Sequence, residues 1–138
     1  MQQYCLDSWA ILAFLHRENP AGLYVKQLLE KAAQENNETL FFSLMNLGEV
    51  YYIVGRASSR EEADETIAQI RRLPLTIVSV DDEQIMAAAR LKMSYRISYA
   101  DAFALATAVR CKATLLTGDP ELIALAPNFP IETLRRDG

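Results

Sequence analysis

The chain has 138 residues, 51% hydrophobic and 23% charged, an ordinary globular composition that excludes a disordered chain and a collagen-like fibre. Eighteen Asp and Glu against 14 Lys and Arg give a formal net charge of −4, with no basic block. On charge alone nucleic acid is a poor guess for the partner, so what matters is whether the carboxylates are spread over a solvated surface or gathered into a site.

In chain order, Tyr4 to Leu6 reads as a strand, followed by a helix over about Trp9 to Arg17 and a second from about Pro20 through Glu35. After a loop, Leu40 to Ser43 is expected as a short strand and Asn46 to Gly55 as a largely apolar helix. Ser58, with Glu61 as its capping-box partner, opens an amphipathic helix that ends at Leu73–Pro74. Thr76 to Val80 is rich in β-branched residues and predicts a strand. Asp81 to Met93 and the alanine-rich Ser98 to Lys112 read as helices, and Ala113 to Thr117 as an apolar strand. A short helix near Pro120 to Leu125 and a strand around Ile131 to Thr133 complete the order. Short apolar strands separated by helices are what a mostly parallel sheet covered on both faces requires, so residues 1–138 read as one α/β domain.

Cys5 and Cys111 show no Cys-x-x-Cys spacing, which suits a reducing compartment better than a disulfide framework or a zinc ribbon. The apolar stretch from Trp9 to Leu15 is too short to span a bilayer and has no basic flank, so a cytoplasmic protein without membrane association is expected. His16 is the single histidine, which removes multi-histidine metal sites, and it reads as a helix-end surface residue.

Most acids belong where water is. Glu61, Glu62, Asp64 and Glu65 form one charged face, and Asp81, Asp82 and Glu83 open a helix whose dipole favours them. Four others are embedded in apolar sequence: Asp7, Glu49, Asp101 and Asp119. Asp7 follows the first strand, where ligands collect in an open parallel sheet, although it or Ser8 also serves as a helix cap. Glu49 lies opposite the stripe of Leu47, Val50, Tyr51 and Val54 on its helix, where an isolated exposed Glu is the plainer alternative. Asp101 stands three residues after Ser98, at capping-box spacing, but alanines crowd around it, and a lone buried carboxylate needs a partner. Asp119 precedes Pro120 and fits an N-cap with proline at the first helical position.

Taken together, two of these acids end separate strands and two ride on flanking helices. If the strands are neighbours, their acids stand about 5 to 10 Å apart at one sheet edge. Like charges so crowded need cations, and Mg²⁺ or Mn²⁺ suits oxygen ligands that must also accept phosphate oxygens. The chemistry implied is phosphodiester hydrolysis.

Four blocks carry a family resemblance: Leu6-Asp7-Ser8-Trp9-Ala10, Asn46-Leu47-Gly48-Glu49-Val50-Tyr51, Ser98-Tyr99-Ala100-Asp101-Ala102-Phe103 and Thr117-Gly118-Asp119-Pro120-Glu121. In this order and spacing the chain resembles the PIN domain, most closely the toxin ribonucleases of the VapC type. The resemblance implies a three-layer α/β/α sandwich around a mainly parallel, roughly five-stranded sheet, and Mg²⁺- or Mn²⁺-dependent endonucleolytic cleavage of RNA. By position, Asp7 and Asp101 match the usual metal ligands, Glu49 and Asp119 match acids that act directly or through water, and Ser8 and Thr117 match neighbours that order the site. Trp9 departs from the pattern, standing where many relatives have a small hydroxyl or amide residue. The resemblance further implies an antitoxin whose C-terminal segment covers the acidic cleft, and a homodimer. Candidate RNA-backbone contacts are Arg17, Arg56, Arg60, Arg96 and Arg110. The alternative is a catalytically inactive PIN-like module that binds protein or RNA without cutting it. A phosphatase reading fits poorly because Trp9 stands where it wants a second acid two residues after Asp7, and a receiver-domain reading because Asp7 has no acidic neighbour and Gly118, not a lysine, follows Thr117.

Overall fold

A computed structural model describes residues 2–34 and 38–137 of the chain. Five strands, β1 (Gln2–Leu6), β2 (Glu38–Ser43), β3 (Thr76–Val78), β4 (Thr114–Thr117) and β5 (Ile131–Thr133), form one sheet in the order β3-β2-β1-β4-β5. Every pairing is parallel. Leu6 stands opposite both Phe42 and Leu116, so these three and Leu40 share one face, with Cys5 and Leu115 on the other. The first face packs on α1 (Ser8–Leu15), α2 (Ala21–Ala33), α3 (Leu44–Ala57) and α4 (Arg60–Arg71), through Ile11, Val25, Val50 and Ile70 among others. The second packs on α5 (Asp82–Ser94) and α6 (Tyr99–Arg110), with Leu122 of α7 (Pro120–Ile123). This is the expected three-layer α/β/α arrangement.

The chain moves outward from β1 to β2 and β3, then returns to lay β4 on the other flank of β1. That reversal opens a crevice at the carboxyl ends of β1 and β4, where parallel sheets bind ligands. The two acids that follow those strands therefore do arrive side by side.

Some expected boundaries move. The helix expected from Ser58 starts one residue later: Ser59 is its cap and accepts from the Glu62 N–H at 3.0 Å, while the Ser58 N–H still bonds to Val54 O at the end of α3. Consecutive serines followed by consecutive glutamates satisfy the capping-box spacing twice, and only the chain geometry chooses between them. Ser43 caps α3 through the Met45 N–H, so that helix starts two residues before Asn46. β3 ends at Val78 rather than Val80. The expected end of α2 at Glu35 lies outside the described residues. Leu23 is 49% exposed, whereas Val25, Leu28 and Leu29 are buried. His16 caps the end of α1 and is exposed, and Cys5 and Cys111 are free thiols. Among the described residues no helix is long and apolar enough to cross a membrane.

Candidate active site

The site begins where β1 and β4 end. Register places Leu6 opposite Leu116, and the Asp7 N–H reaches Leu116 O at 3.5 Å. Asp7 is 1% exposed and both of its oxygens are engaged. One accepts from the Ala10 N–H at 2.8 Å, capping α1, and the other accepts from the Thr117 hydroxyl. That hydroxyl also accepts from the Asp119 N–H at 3.0 Å, and the Asp119 carboxylate caps α7 through the Glu121 N–H at 2.9 Å. Capping and site membership are thus not rival explanations: Asp7 and Asp119 do both, and the cap fixes where each carboxylate points.

Helices α6 and α3 bring the other acids. Ser98 caps α6 by accepting from the Asp101 N–H at 3.1 Å, which puts Asp101 in the first turn, half-buried and within hydrogen-bonding reach of Asp119. Carboxylate oxygens of Asp101, Asp119 and Glu121 all lie within 4.8 Å of one another. Asp7 and Glu49 stand outside this triplet but within electrostatic reach, since the charges of Asp119 and Glu49 both act on Asp7.

Asn46, fully buried in α3, donates from Nδ2 to Ala100 O at 3.1 Å, and its carbonyl accepts from the Ser8 hydroxyl at 3.3 Å. It therefore ties the neighbour of Asp101 to the neighbour of Asp7, one turn of α3 ahead of Glu49. Glu121 and Asn46 were not singled out from the sequence. An amide inside an apolar helical run, three residues before the embedded Glu49, is the signal that could have found Asn46. Glu121 resembles any exposed acid in a first helical turn, and only the fold distinguishes it.

Burial pushes the Asp7 carboxyl up to about 7, with Asp119 and Glu49 adding to the rise and the Thr117 and Ala10 hydrogen bonds opposing it. Asp101 is likewise pushed up to about 7, first by burial, then by Asp119 and Asp7. The leading causes at both residues are burial, neighbouring acids and hydrogen-bond donors. An all-oxygen, all-anionic donor set fits a hard divalent cation such as Mg²⁺ or Mn²⁺. The buried Asn46 Oδ1 carries no hydrogen bond, the kind of leftover acceptor that water around such an ion satisfies.

The architecture and this cluster accord with a family model, the PIN domain, that matches residues 4–127. The chain belongs to the PIN domain family. Solved structures with the same fold include VapBC2 from Rickettsia felis bound to a DNA fragment from their promoter, with a TM-score of 0.73 and 18% identity over 97% of this chain and 100% of that one. DNA-bound VapBC from Salmonella typhimurium is similar at a TM-score of 0.71 and 12% identity, over 96% and 98% of the two chains. VapC20 from Mycobacterium tuberculosis, a sarcin–ricin loop cleaving toxin, gives 0.69 and 17% over 91% and 95%. No curated protein matches the chain.

Within this PIN domain the five arginines expected to meet RNA are unequal. Arg110 stands nine residues beyond Asp101 on α6, about 13 Å away along the axis, and is engaged by Asp81. Arg56 stacks over Tyr52, its guanidinium carbon 5.5 Å from the ring centroid, two turns beyond Glu49 on α3. Arg17, Arg60 and Arg96 are exposed. Trp9 packs against Gly118, between Thr117 and Asp119, where an added Cβ would meet the indole ring at 2.2 Å.

Proposed function

We propose that this PIN domain is a Mg²⁺- or Mn²⁺-dependent endoribonuclease acting as the toxin of a toxin–antitoxin pair. The observation that carries the reading is the meeting of Asp7, Asp101 and Asp119 at the crevice between β1 and β4, two of them pushed up to about 7 by burial and by neighbouring acids.

Asp7 and Asp101 are the residues that would hold the ion, with Glu49 and Asp119 assisting directly or through water and Glu121 placed to join them. A divalent ion supplies charge neutralisation for a phosphodiester and a more acidic water. The chain's own residues supply orientation. The Thr117 hydroxyl and the Ala10 N–H each hold one of the two Asp7 oxygens, and Ser8 and Asn46 fix α1 against α3. Deprotonating Asp7 and Asp101 is costly in the buried, acidic surroundings, so both carboxylates gain from binding a cation. Two divalent charges would bring the formal −4 of the chain to 0, which removes the electrostatic objection to an RNA substrate.

The relatives solved as VapBC assemblies support a cognate antitoxin as partner. The VapC20 toxin, which cleaves a sarcin–ricin loop, supports RNA as the substrate class. The reading includes one PIN-like unit over residues 1–138, a homodimer and a cytoplasmic location. Purified protein should cut single-stranded RNA with Mg²⁺ or Mn²⁺ and stop on addition of chelator. Unchanged cleavage by Asp7→Asn or Asp101→Asn would show that the chemistry lies elsewhere.

A further inference from the structure

We propose that Arg136, held over the Trp9 ring beside the segment that leads to Asp119, binds an RNA phosphate next to the one that is cut, an inference that rests on the ribonuclease reading above. A bound strand brings a run of phosphates, and those beyond the carboxylate cluster need a cation supplied by the chain. Arg136 is placed and prepared for that task.

Its placement comes from the segment after β5. The Leu134 N–H donates at 2.8 Å to the carbonyl of Thr117, the residue whose hydroxyl orients Asp7. The Arg135 carbonyl then accepts from the Ala21 N–H at 2.8 Å, and the Asp137 N–H donates to Asn19 O at 2.9 Å. Arg136 lies between these two ties and forms a bridge with Pro20. The backbone that carries it is therefore anchored both to the site and to the α1–α2 connection.

Its preparation lies in the side chain. The guanidinium carbon sits 5.1 Å from the centroid of the Trp9 ring, and Nη1 donates to Glu18 at 3.0 Å. The indole and Glu18 together restrain the guanidinium, one by a cation–π contact and the other by a hydrogen bond. Glu18 engages one nitrogen only, and half of the Arg136 side chain remains exposed, which leaves donors for a phosphate. Arg110 is the contrast: both of its terminal nitrogens bond to Asp81, and one also to Gln84. The indole ring in turn abuts Gly118, so an unbroken line of contact runs from the segment bearing Asp119 through Trp9 to the guanidinium. Trp9 is thus the platform that links the tail arginine to the segment leading to Asp119.

A purely structural tie between the tail and Glu18 would affect stability and leave substrate affinity alone. The deciding experiment is steady-state cleavage of a single-stranded RNA oligomer with Mn²⁺ across a salt series, for the parent, Arg136→Ala and Arg136→Gln. Glutamine keeps a donor for Glu18 while removing the charge, so it decides the matter if the alanine variant fails to fold. The expected result is a KM raised about tenfold with kcat within about twofold. The slope of log KM against log salt should also fall in magnitude by about 0.7, the value for one phosphate contact on a single strand. Glu18→Gln should leave KM at or below that of the parent. A folded Arg136 variant with unchanged KM and salt slope, or one that loses kcat alone, overturns this proposal while the ribonuclease reading stands. A parent protein that cuts no RNA overturns both.

Discussion

Helix α6 carries an aspartate at its first turn and receives another at its last, and the two are treated in opposite ways. At the C-terminal end Arg110 grips Asp81 with two nitrogens, at 3.0 and 2.9 Å, and this hydrogen bonding holds the Asp81 carboxyl below its ordinary range. At the N-terminal end Asp101 is pushed up to about 7 by burial and by Asp119, itself an acid. The same fold thus provides a cation for an exposed acid that shapes the structure and brings further acids to the one in the crevice. Asp81 thus has its counter-charge within the fold, whereas Asp101 is surrounded by further acids, the kind of perturbation that collects at functional sites.

The largest effect that could break this contrast is on activity. Asp7→Asn or Asp101→Asn should lower kcat/KM for RNA by about a thousandfold or more, because a neutral amide leaves the ion poorly held. The same substitutions should raise the melting temperature of the metal-free protein, since each removes a carboxylate that resists ionisation where it sits. Thermal melts in chelator set beside cleavage rates check both halves. A variant that loses activity because it unfolds more easily would contradict the contrast.

A second effect follows from linkage. Asp7 and Asp101 have folded-state values raised to about 7 from an ordinary 3.8, so between about pH 4 and 7 the folded protein holds protons that the unfolded chain has released. Their contribution to stability is fully present below the lower value and is lost as pH rises through the upper one. In chelator the melting temperature should therefore climb as pH is lowered from 7.5 toward 5. Millimolar Mn²⁺ should raise it at pH 7.5 and flatten the climb, because the ion replaces the protons. An equal Mn²⁺ shift in a variant lacking three of the acids would separate metal binding from this crevice.

The two ends of α6 also differ in how readily the sequence betrays them. The crevice end was legible because Asp101 is the lone charge in a long apolar stretch, and the same oddity marks Asp7, Glu49 and Asp119. Strand order was the missing fact, since nothing in the residues of β1 and β4 says that they lie side by side. The pairing of Arg110 with Asp81 is not legible in the sequence, because the two are 29 residues apart and meet through the packing of α5 on α6. The contacts of Arg136 are hidden for the same reason, its neighbours Trp9 and Glu18 lying at the other end of the chain. Local spacing reports caps and faces, and long-range pairing reports sites.

A third, smaller effect concerns the wall of the crevice. Gly118→Ala places a Cβ at 2.2 Å from the indole ring of Trp9, a rigid neighbour that must move as a whole. The cost should be about 1–3 kcal/mol, the range for overpacking. Trp9→Ser should cost stability in the parent yet cost less, or gain, when combined with Gly118→Ala, and a double-mutant cycle on urea midpoints measures that coupling. Additive effects would mean that the ring and the Asp119 segment are not in contact.

The smallest effect belongs to the paired end of α6, and there the sign reverses. Asp81 has a depressed value in the folded protein, so its pairing stabilises fully above the ordinary carboxylate value and is lost as pH falls through the lowered folded-state value. Arg110→Ala should lower the melting temperature only slightly at pH 7, since both partners are about half exposed and screened by salt. The difference from the parent should shrink as pH falls below the ordinary carboxylate range and in molar salt, while RNA cleavage per folded molecule stays the same. The metal-free crevice moves in the opposite direction over the neighbouring pH window, so one set of melts from pH 3 to 7.5 on the parent, Asp7→Asn and Arg110→Ala resolves both. Curves for the two variants that diverge from the parent in the same direction at pH 7 would mean that the acids of the crevice are neutralised from within the chain, and that it has no need of an outside ion.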